Sequence, residues 1–319
     1  MPNLFRSTAL LVLLFGCSPL ISAQPDTVQI GAYVKDIYDV NLSEQRFSAQ
    51  FWVWFNFKNG ALNPLETIEI PNAKEFTNPN SFKDTVAEKK TFWYGKSYTA
   101  VLKKDWDIRK FPFDVQKMTI ELEESDKDIN DLVYVADIKN TKLDTSLSLS
   151  NWEITGFDLS TSSKQYNSNF GDPQLGESSV YAHAELNVYI KRKALGLFFS
   201  LFTGMYVAFF ISWLVFFIDP IDVDPRFGLS VGGLFAAVSN KYIVDSILPQ
   251  STTFTLVDKL HILTFFFLLL CIVLSVISLR IWKNGNEQKS KQFDGMVWKI
   301  ILFTYVLANA ILIWGASRG

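Results

Sequence analysis

The sequence predicts an all-β, immunoglobulin-like sandwich outside the membrane, followed by a transmembrane domain of four helices. Residues 24–193 consist of short runs that alternate apolar and polar side chains, separated by Asn, Gly, Pro, Asp and Ser. This period of two is typical of strands with one buried face. Residues 195–315 hold most of the long apolar runs. Runs of about 20 apolar residues are long enough to cross a bilayer as helices.

The first 23 residues predict a cleaved export signal. Arg6 supplies the positive charge, the apolar stretch after it is too short to span a membrane, and Ala23 ends a small-residue cleavage site. A weaker alternative is a lipoprotein-type site at Cys17. Both interpretations place residues 24–193 in an extracytoplasmic space.

Composition excludes several classes of protein. The net charge of −2, without a basic stripe outside the loops near the membrane, gives no electrostatic basis for binding nucleic acid. Cys17 and Cys271 are the two cysteines and are predicted to form no disulfide. His183 and His261 are too few and too far apart in sequence to predict a metal site. Because no catalytic motif occurs in a suitable context, neither an enzyme nor a cofactor is expected.

The second domain, residues 194–319, contains four predicted spans. They cover residues 195–218, 227–248, 260–280 and 294–314. The loop after the third span carries Arg280, Lys283, Lys289 and Lys291, as expected of a cytoplasmic loop. The sandwich is therefore predicted to be extracellular or periplasmic, on a multi-pass protein of the plasma or inner membrane. The basic cluster 191–193 departs from the simple charge rule, to which translocated domains are often insensitive.

The second span is unusually polar. At 100° per residue, one set of its side chains falls within an arc of roughly 80°. These are Gly228, Gly232, Phe235, Ser239, Tyr242 and Ser246. A small or hydroxylated stripe suits a water-filled pore in which Phe235 forms an apolar constriction. Equally, small residues permit close packing of helices, and both interpretations stay open. A pore would require a ring of subunits.

Charged residues flank this span at both ends. Lys241 is expected to pair with Asp245 at i,i+4, or else to bridge to Asp258 before the third span. Asp222 and Asp224 precede the span on the cytoplasmic side, where a ring of carboxylates would concentrate cations. Arg226 follows them directly and predicts a mixed field at that mouth.

Four motifs in order resemble the prokaryotic members of the pentameric ligand-gated (Cys-loop) channel superfamily. They are Phe111-Pro112-Phe113-Asp114-Val115-Gln116, Asn151-Trp152-Glu153-Ile154, Arg192 at the end of the last strand, and Leu248-Pro249 closing the second span. The resemblance implies a homopentamer with a central pore lined by the second helix, with Asp224 near the selectivity filter.

The chain also departs from the family pattern. Lys104 and Met118 stand where the family's loop cysteines would fall. The first span lacks the usual mid-helix proline, and the second has an unusual Gly-Gly pair.

A coupling site is expected around Asp114. A carboxylate between apolar residues is costly to bury unpaired, which makes Arg192 its natural partner. The resemblance implies that this pair links the two domains, with either Glu44 or Asp39 as a third member. The remaining expected members are Phe111, Pro112, Phe113 and Pro249. The alternative is a solvated loop acid.

The resemblance places an agonist site between neighbouring sandwiches, built from aromatic side chains that bind amines. The candidates are Trp52, Trp54, Phe57, Tyr134, Tyr166, Phe170 and Tyr181. Alternating aromatic residues are, alternatively, core residues of the sandwich. The acidic stretch 121–131 is expected to be a solvated edge, with a divalent cation site or a proton sensor as alternatives.

The sequence therefore predicts a subunit of a ligand-gated channel that conducts cations. Its expected partners are copies of itself, a small-molecule agonist or protons, permeant inorganic ions and the lipid bilayer. A non-conducting membrane receptor or binding module is the alternative.

Overall fold

The computed structural model describes residues 24–173 and 176–317. The predicted leader, residues 1–23, lies outside the described residues. The described chain forms a β-sandwich followed by long apolar helices, so the predicted fold class is confirmed.

The larger sheet of the sandwich contains seven strands within the described residues. They are β1 (Asp26–Asn41), β2 (Arg46–Phe57), β4 (Ala73–Thr77), β5 (Ser81–Val86), β6 (Thr91–Lys103), β8 (Leu132–Ala136) and β9 (Lys142–Leu143). The strand order is β4-β6-β2-β1-β8, with β5 also on β6 and β9 also on β1. β8 and β9 run parallel to β1, whereas β2 runs antiparallel to it.

The smaller sheet carries the strands that reach the membrane domain. Its described strands are β3 (Ile68–Glu69), β7 (Val115–Asp128), β10 (Trp152–Tyr166) and β11 (Ser179–Arg192). Their order is β10-β11-β7-β3, all antiparallel. A four-residue helix, α1 (Pro64–Thr67), begins with a proline and precedes β3; the sequence did not predict it.

Alternation along the strands builds the core between the sheets. On β2, Phe51, Val53, Phe55 and Phe57 are buried, while the residues between them are half-exposed. Ile120 and Leu122 of β7 and Leu186 of β11 lie in the same core from the other sheet. Successive side chains point to opposite faces of a strand, so this arrangement follows directly from the period of two.

Four helices long and apolar enough to cross a membrane follow the sandwich in the described chain. They are α2 (Ala194–Trp213), α3 (Val223–Ser246), α4 (Leu256–Lys283) and α5 (Glu287–Ser317). A 3-10 turn, Leu214–Phe217, extends α2. Three of these helices, α3, α4 and α5, begin before the predicted spans because their polar first turns are helical too.

The start of α4 shows one cause of that difference. Thr255 accepts a hydrogen bond from the backbone N–H of Asp258, and the Asp258 side chain accepts one from the backbone N–H of Thr255. This capping box begins the helix at Leu256, four residues before the predicted span.

Candidate functional site: the interdomain joint and the second membrane helix

The loop between β6 and β7 meets the end of β11 through a buried ion pair. Arg192 donates from Nε to Asp114 Oδ1 at 2.6 Å and from Nη2 to Oδ2 at 3.1 Å. The backbone N–H of Arg192 also donates to the Asp114 carbonyl at 3.2 Å. Both side chains are buried. A two-point contact of this kind fixes the orientation of the planar guanidinium.

Aromatic rings enclose this arginine. Its guanidinium carbon lies 3.8 Å from the centroid of the Trp152 ring and 4.8 Å from that of Phe111. Trp106 stacks on Trp152 with centroids 6.3 Å apart. The Phe111–Pro112 peptide bond is cis. The rings exclude water from the ion pair and contribute cation–π attraction.

Gln116, at the end of the loop motif, ties both sides of the loop together. Its Nε2 donates to Asp114 Oδ2 at 2.8 Å and to the Asp107 carbonyl at 2.7 Å, while its Oε1 accepts from the Asp107 N–H at 3.2 Å. Hydrogen bonds from the neighbouring Arg109 side chain lower the pKa of the Asp107 carboxyl. These hydrogen bonds hold the loop in shape.

Two contacts carry this loop onto the membrane domain. The Phe113 ring lies 5.7 Å from that of Phe198 on α2. The backbone N–H of Leu256, at the start of α4, donates to the Arg109 carbonyl at 3.0 Å. A cavity of about 300 Å³ lies alongside, lined by Ile108 and by Pro249 after α3. The loop therefore contacts both α2 and the start of α4.

Glu44 does not join this cluster. Its side chain pairs with Arg46, 2.5 Å away, and is mostly exposed. The Asx-type turn at Asn41, which accepts from the Glu44 N–H at 2.9 Å, directs the side chain toward its own hairpin. Asp39, the other residue considered, lines a crevice that Arg192 also lines.

The faces of α3 divide into a packed side and an open side. Arg226, Ser230, Gly233, Ala237 and Val244 are buried against the subunit's own helices. The predicted stripe from Gly228 to Ser246 lies on the opposite, exposed side. Phe235 is 69% exposed and Tyr242 79% exposed. Ser239 hydrogen-bonds only within its helix, to the Phe235 carbonyl at 2.9 Å, among the contacts that the described chain provides.

The glycines of α3 serve different purposes. A methyl group added to Gly233 would lie 2.1 Å from Ser212 Oγ and 2.7 Å from the Ala208 carbonyl oxygen, so this glycine lets α2 approach closely. One added to Gly228 or Gly232 would meet no atom of the described residues within 4 Å. Close packing thus accounts for Gly233, whereas the two stripe glycines face open space in the subunit.

The inner end of α3 differs from the mixed field that the sequence predicted. Arg226 is 1% exposed, with Nη2 on Asp294 of α5 and Nε donating to the Ile218 carbonyl at 3.1 Å. Asp222 and Asp224 remain exposed. The order of charges in the sequence does not show which side chains are buried. For that reason Arg226 was predicted to face the same pore mouth as Asp222 and Asp224.

At the outer end, Lys241 contacts both of its predicted partners. Its Nζ reaches Asp245, one turn away, and Asp258 Oδ1 at 2.9 Å. Next to it, Asn240 donates to the Leu201 carbonyl at 2.9 Å and faces His261 Nε2 at 3.1 Å. These contacts tie α3 to α2 and α4.

The aromatic candidates for a ligand site separate into two groups on β2 and β8. Trp52 and Trp54 lie on the outer face of the larger sheet, where Trp54 Nε1 donates to Asp137 at 3.1 Å. Phe57 and Tyr134 are instead buried in the sandwich core. Phe57 lies three positions after Trp54, and this odd offset puts the two side chains on opposite faces of the strand. Phe57 and Tyr134 are therefore no longer candidates.

The remaining candidates form a cluster at the hairpin between β10 and β11. Ring centroids of Tyr166, Phe170 and Tyr181 lie 5.4 to 6.3 Å from one another. The Tyr166 hydroxyl donates to Glu123 Oε1 at 2.6 Å, and His183 Nδ1 lies 2.9 Å from Glu123 Oε2. Desolvation, followed by the contact with Glu123, raises the pKa of Tyr166 to about 12, so its hydroxyl remains a donor.

The acidic stretch is not simply a solvated edge. Glu123 is buried beneath the aromatic cluster, and Glu124 is 0% exposed. Glu124 accepts from the Thr67 hydroxyl at 2.8 Å and from the backbone N–H of Asp126 at 3.1 Å. Glu124 continues the inward-facing positions of Ile120 and Leu122, whereas Glu123 lies on the other face and is covered by Tyr166 and His183. Among the described residues, His, Cys, Asp and Glu form no group able to hold a metal ion.

No protein-family model matches the chain. The chain is 22% identical over 274 residues to a proton-gated ion channel of Gloeobacter violaceus, a match that covers 80% of this chain and 73% of that channel. The predicted resemblance to prokaryotic pentameric ligand-gated channels is confirmed. A chain related to these channels, with four membrane helices after a sandwich, is a multi-pass membrane protein with an extracellular N-terminal domain. The relative is a channel, which also confirms that the chain is not an enzyme.

In this chain, the sequence predicted the functional residues that lie in motifs and missed those that depend on tertiary contacts. Trp152 was noted within its motif, but not as the ring beneath Arg192. Asp294 lies in a polar stretch before the last span and has no local feature that marks it as the partner of Arg226. The pairing of Glu123 with His183 also depends on strand register, which no local motif states.

Proposed function

We propose that the chain is a subunit of a homopentameric, ligand-gated channel that conducts cations through a pore lined by α3. The observation that carries this proposal is the division of α3. Its small and hydroxylated stripe is turned away from the subunit's own bundle, whereas its packed side holds the buried residues. Exposed polar groups are unfavourable toward lipid, so a water-filled axis between subunits is the environment that suits them.

The proposed gate is a ring of Phe235 side chains. In each subunit the Phe235 side chain is exposed on the stripe, where it follows Gly228 and Gly232. Five such rings around a narrow axis would exclude water and close the pore by dewetting. Tilting or rotation of α3 would move them off the axis, where Gly232 leaves space beside them.

The proposed preference for cations rests on the inner mouth. Asp222 and Asp224 are exposed, and no salt bridge to either occurs in the described part of the chain. The neighbouring basic side chain, Arg226, is buried and paired. Five copies of this mouth would form an acidic ring that concentrates cations and repels anions.

Transmission is proposed to pass through the joint formed by Asp114 and Arg192. The ion pair locks the loop 111–116 to the end of β11, which leads directly into α2. The loop between β6 and β7 contacts α2 through Phe113 and the start of α4 through the Arg109 carbonyl. Movement of the sandwich would therefore shift these helices relative to α3.

The stimulus is proposed to act at the hairpin between β10 and β11, at the boundary between neighbouring sandwiches. The relative is a proton-gated channel. In this chain the buried pair of Glu123 and His183 supports protons as a stimulus, and the overlying aromatic cluster supports a cationic amine. Outer-face Trp52 and Trp54 of an adjacent subunit would complete the aromatic wall.

Cysteine accessibility along 228–246 tests the pore directly, in a background with Cys17 and Cys271 replaced. We expect membrane-impermeant thiol reagents to label cysteines at Gly228, Gly232, Phe235, Ser239 and Tyr242, and to leave cysteines at the buried positions Ser230, Ala237 and Val244 unlabelled. Uniform protection would contradict the pore and favour the non-conducting receptor.

A further inference from the structure

The inner end of the bundle contains a buried ion pair that connects α3, the proposed pore helix, to α5. Arg226 lies in the first turns of α3 and Asp294 in α5. Both side chains are almost completely buried. Phe235 lies nine positions after Arg226, which is roughly 2.5 turns of helix. The arginine therefore points away from the stripe.

The guanidinium is held in that direction from two sides. Nη2 contacts Asp294 Oδ2, and Nε donates to the Ile218 carbonyl at the end of the 3-10 turn after α2. The arginine thus ties the start of α3 to both α2 and α5. Without Asp294, it would be a buried charge with only one carbonyl as its partner, which is unfavourable.

We infer that Asp294, on a helix outside the proposed pore, determines charge selectivity by holding Arg226 away from the inner mouth. The inference rests on the proposed cation conduction and assigns a positioning residue to it. Each subunit presents Asp222 and Asp224 to the mouth, while its nearest basic group in sequence is neutralised inside the bundle. Releasing Arg226 would add one positive charge per subunit beside those two aspartates.

The length of the arginine side chain makes this release feasible. An arginine that loses its partner can extend its stem and place the guanidinium in water. The inner mouth is the nearest water to the first turns of α3, since exposed Asp222, Asp224 and Pro225 flank Arg226 there. Released arginines would oppose the acidic ring and lower its attraction for cations.

The test is the reversal potential of purified channels in bilayers under a potassium chloride gradient. In Asp294→Leu, we expect the ratio of cation to anion permeability to fall by roughly tenfold, because a ring of positive charges changes local ion concentrations at least that much. The double variant R226M/D294L lacks the arginine charge and is expected to regain the selectivity of the unmodified channel.

Ser290→Ala is the matched control for disturbed packing. Ser290 is buried close to Asp294 along α5 and hydrogen-bonds Ser278 at 2.9 Å, but its removal releases no charge. Its selectivity should be unchanged. Asp294→Asn, which preserves volume, is expected to shift selectivity in the same direction as Asp294→Leu and serves if the leucine variant does not assemble.

The outcomes separate this inference from the proposed function. An unmodified channel that passes no current, or prefers anions, would contradict cation conduction itself. A cation-selective unmodified channel whose reversal potential stays the same in Asp294→Leu, or in an assembled Asp294→Asn, would overturn the role of Asp294. An equal shift in R226M/D294L would also overturn it, because that variant has no arginine to release.

Discussion

At the scale of single residues, Asp114 carries the most concentrated set of contacts in the joint. It accepts two hydrogen bonds from Arg192 and one from Gln116, and aromatic rings cover its partner. A buried charge is tolerated only while its partner remains in place. Asp114 and Arg192 are therefore expected to depend on each other for folding as well as for transmission.

Asp114→Ala is expected to lower the free energy of unfolding by about 3–5 kcal/mol, because it leaves the Arg192 charge buried without a partner. Thermal unfolding of detergent-purified protein measures this. Glu185→Gln, which breaks an exposed pair with Lys117 at 3.0 Å, is the control and should cost no more than about 1 kcal/mol. Equal effects of the two variants would contradict the special position of Asp114.

Asp144 offers a prediction about pH. Hydrogen bonds from the Ser146 hydroxyl and backbone, and from the Tyr33 hydroxyl, lower the pKa of Asp144 from 3.8 to about 2. These contacts favour the folded state above the ordinary aspartate pKa and are lost as pH falls from 3.8 toward 2. Between pH 4 and 7 the carboxyl remains ionised. Asp144→Asn should therefore leave the pH for half-maximal current unchanged. A shift of that pH would contradict the conclusion that Asp144 stays ionised between pH 4 and 7.

At the scale of elements, α3 combines two kinds of glycine whose roles can be separated. Gly233 is in contact with α2, and Gly232, next to it in sequence, faces open space within the subunit. Gly232→Ala and Gly233→Ala therefore add the same methyl group at adjacent positions of α3, but on different faces of the helix.

Gly233→Ala is expected to destabilise the bundle by about 1–3 kcal/mol, because its methyl group would collide with Ser212 and Ala208. Gly232→Ala should leave stability unchanged or raise it by up to about 1 kcal/mol, since alanine favours helix. In single-channel recordings, Gly232→Ala should reduce conductance by narrowing the pore. Loss of stability in Gly232→Ala alone would contradict the assigned faces.

The elements also show what sequence alone can predict. Alternation predicted the sandwich, because burial of one face of a strand leaves a period of two. Apolar length predicted the four spans, because burial in lipid leaves a continuous apolar run. The stripe on α3 followed from helical geometry in the same way. Whether Phe57 and Trp54 share a face could have been found by counting, but the burial of Arg226 against Asp294 could not. That pairing joins residues 68 positions apart.

At the scale of the whole molecule, the buried core of the sandwich continues into the outer ends of α2, α3 and α4, and specific contacts connect the two domains there. Phe113 against Phe198, and the backbone bond from Leu256 to Arg109, connect the loop to α2 and α4. Lys241 connects α3 to α4 through Asp258 at the same level of the membrane domain. A stimulus at the sandwich can therefore reach α3 through few residues.

Phe113→Ala is expected to raise the stimulus concentration for half-maximal current by roughly 5–150-fold, the range of a typical coupling energy, while assembly is preserved. Dose–response curves measure this shift. Phe111→Ala is the contrasting variant: Phe111 is buried in the sandwich core, so its loss should mainly reduce stability. A Phe113→Ala channel with an unchanged dose–response curve would exclude this contact from transmission.

The central claim is that α3 lines a cation pore constricted at Phe235. The most direct measurement is current from Phe235→Cys and Ala237→Cys channels in bilayers, before and after a charged thiol reagent, with Cys17 and Cys271 replaced. We expect cation-selective current that the reagent changes in Phe235→Cys and leaves unaffected in Ala237→Cys. Assembled channels that respond in the reverse order, or pass no current under any stimulus, would contradict it.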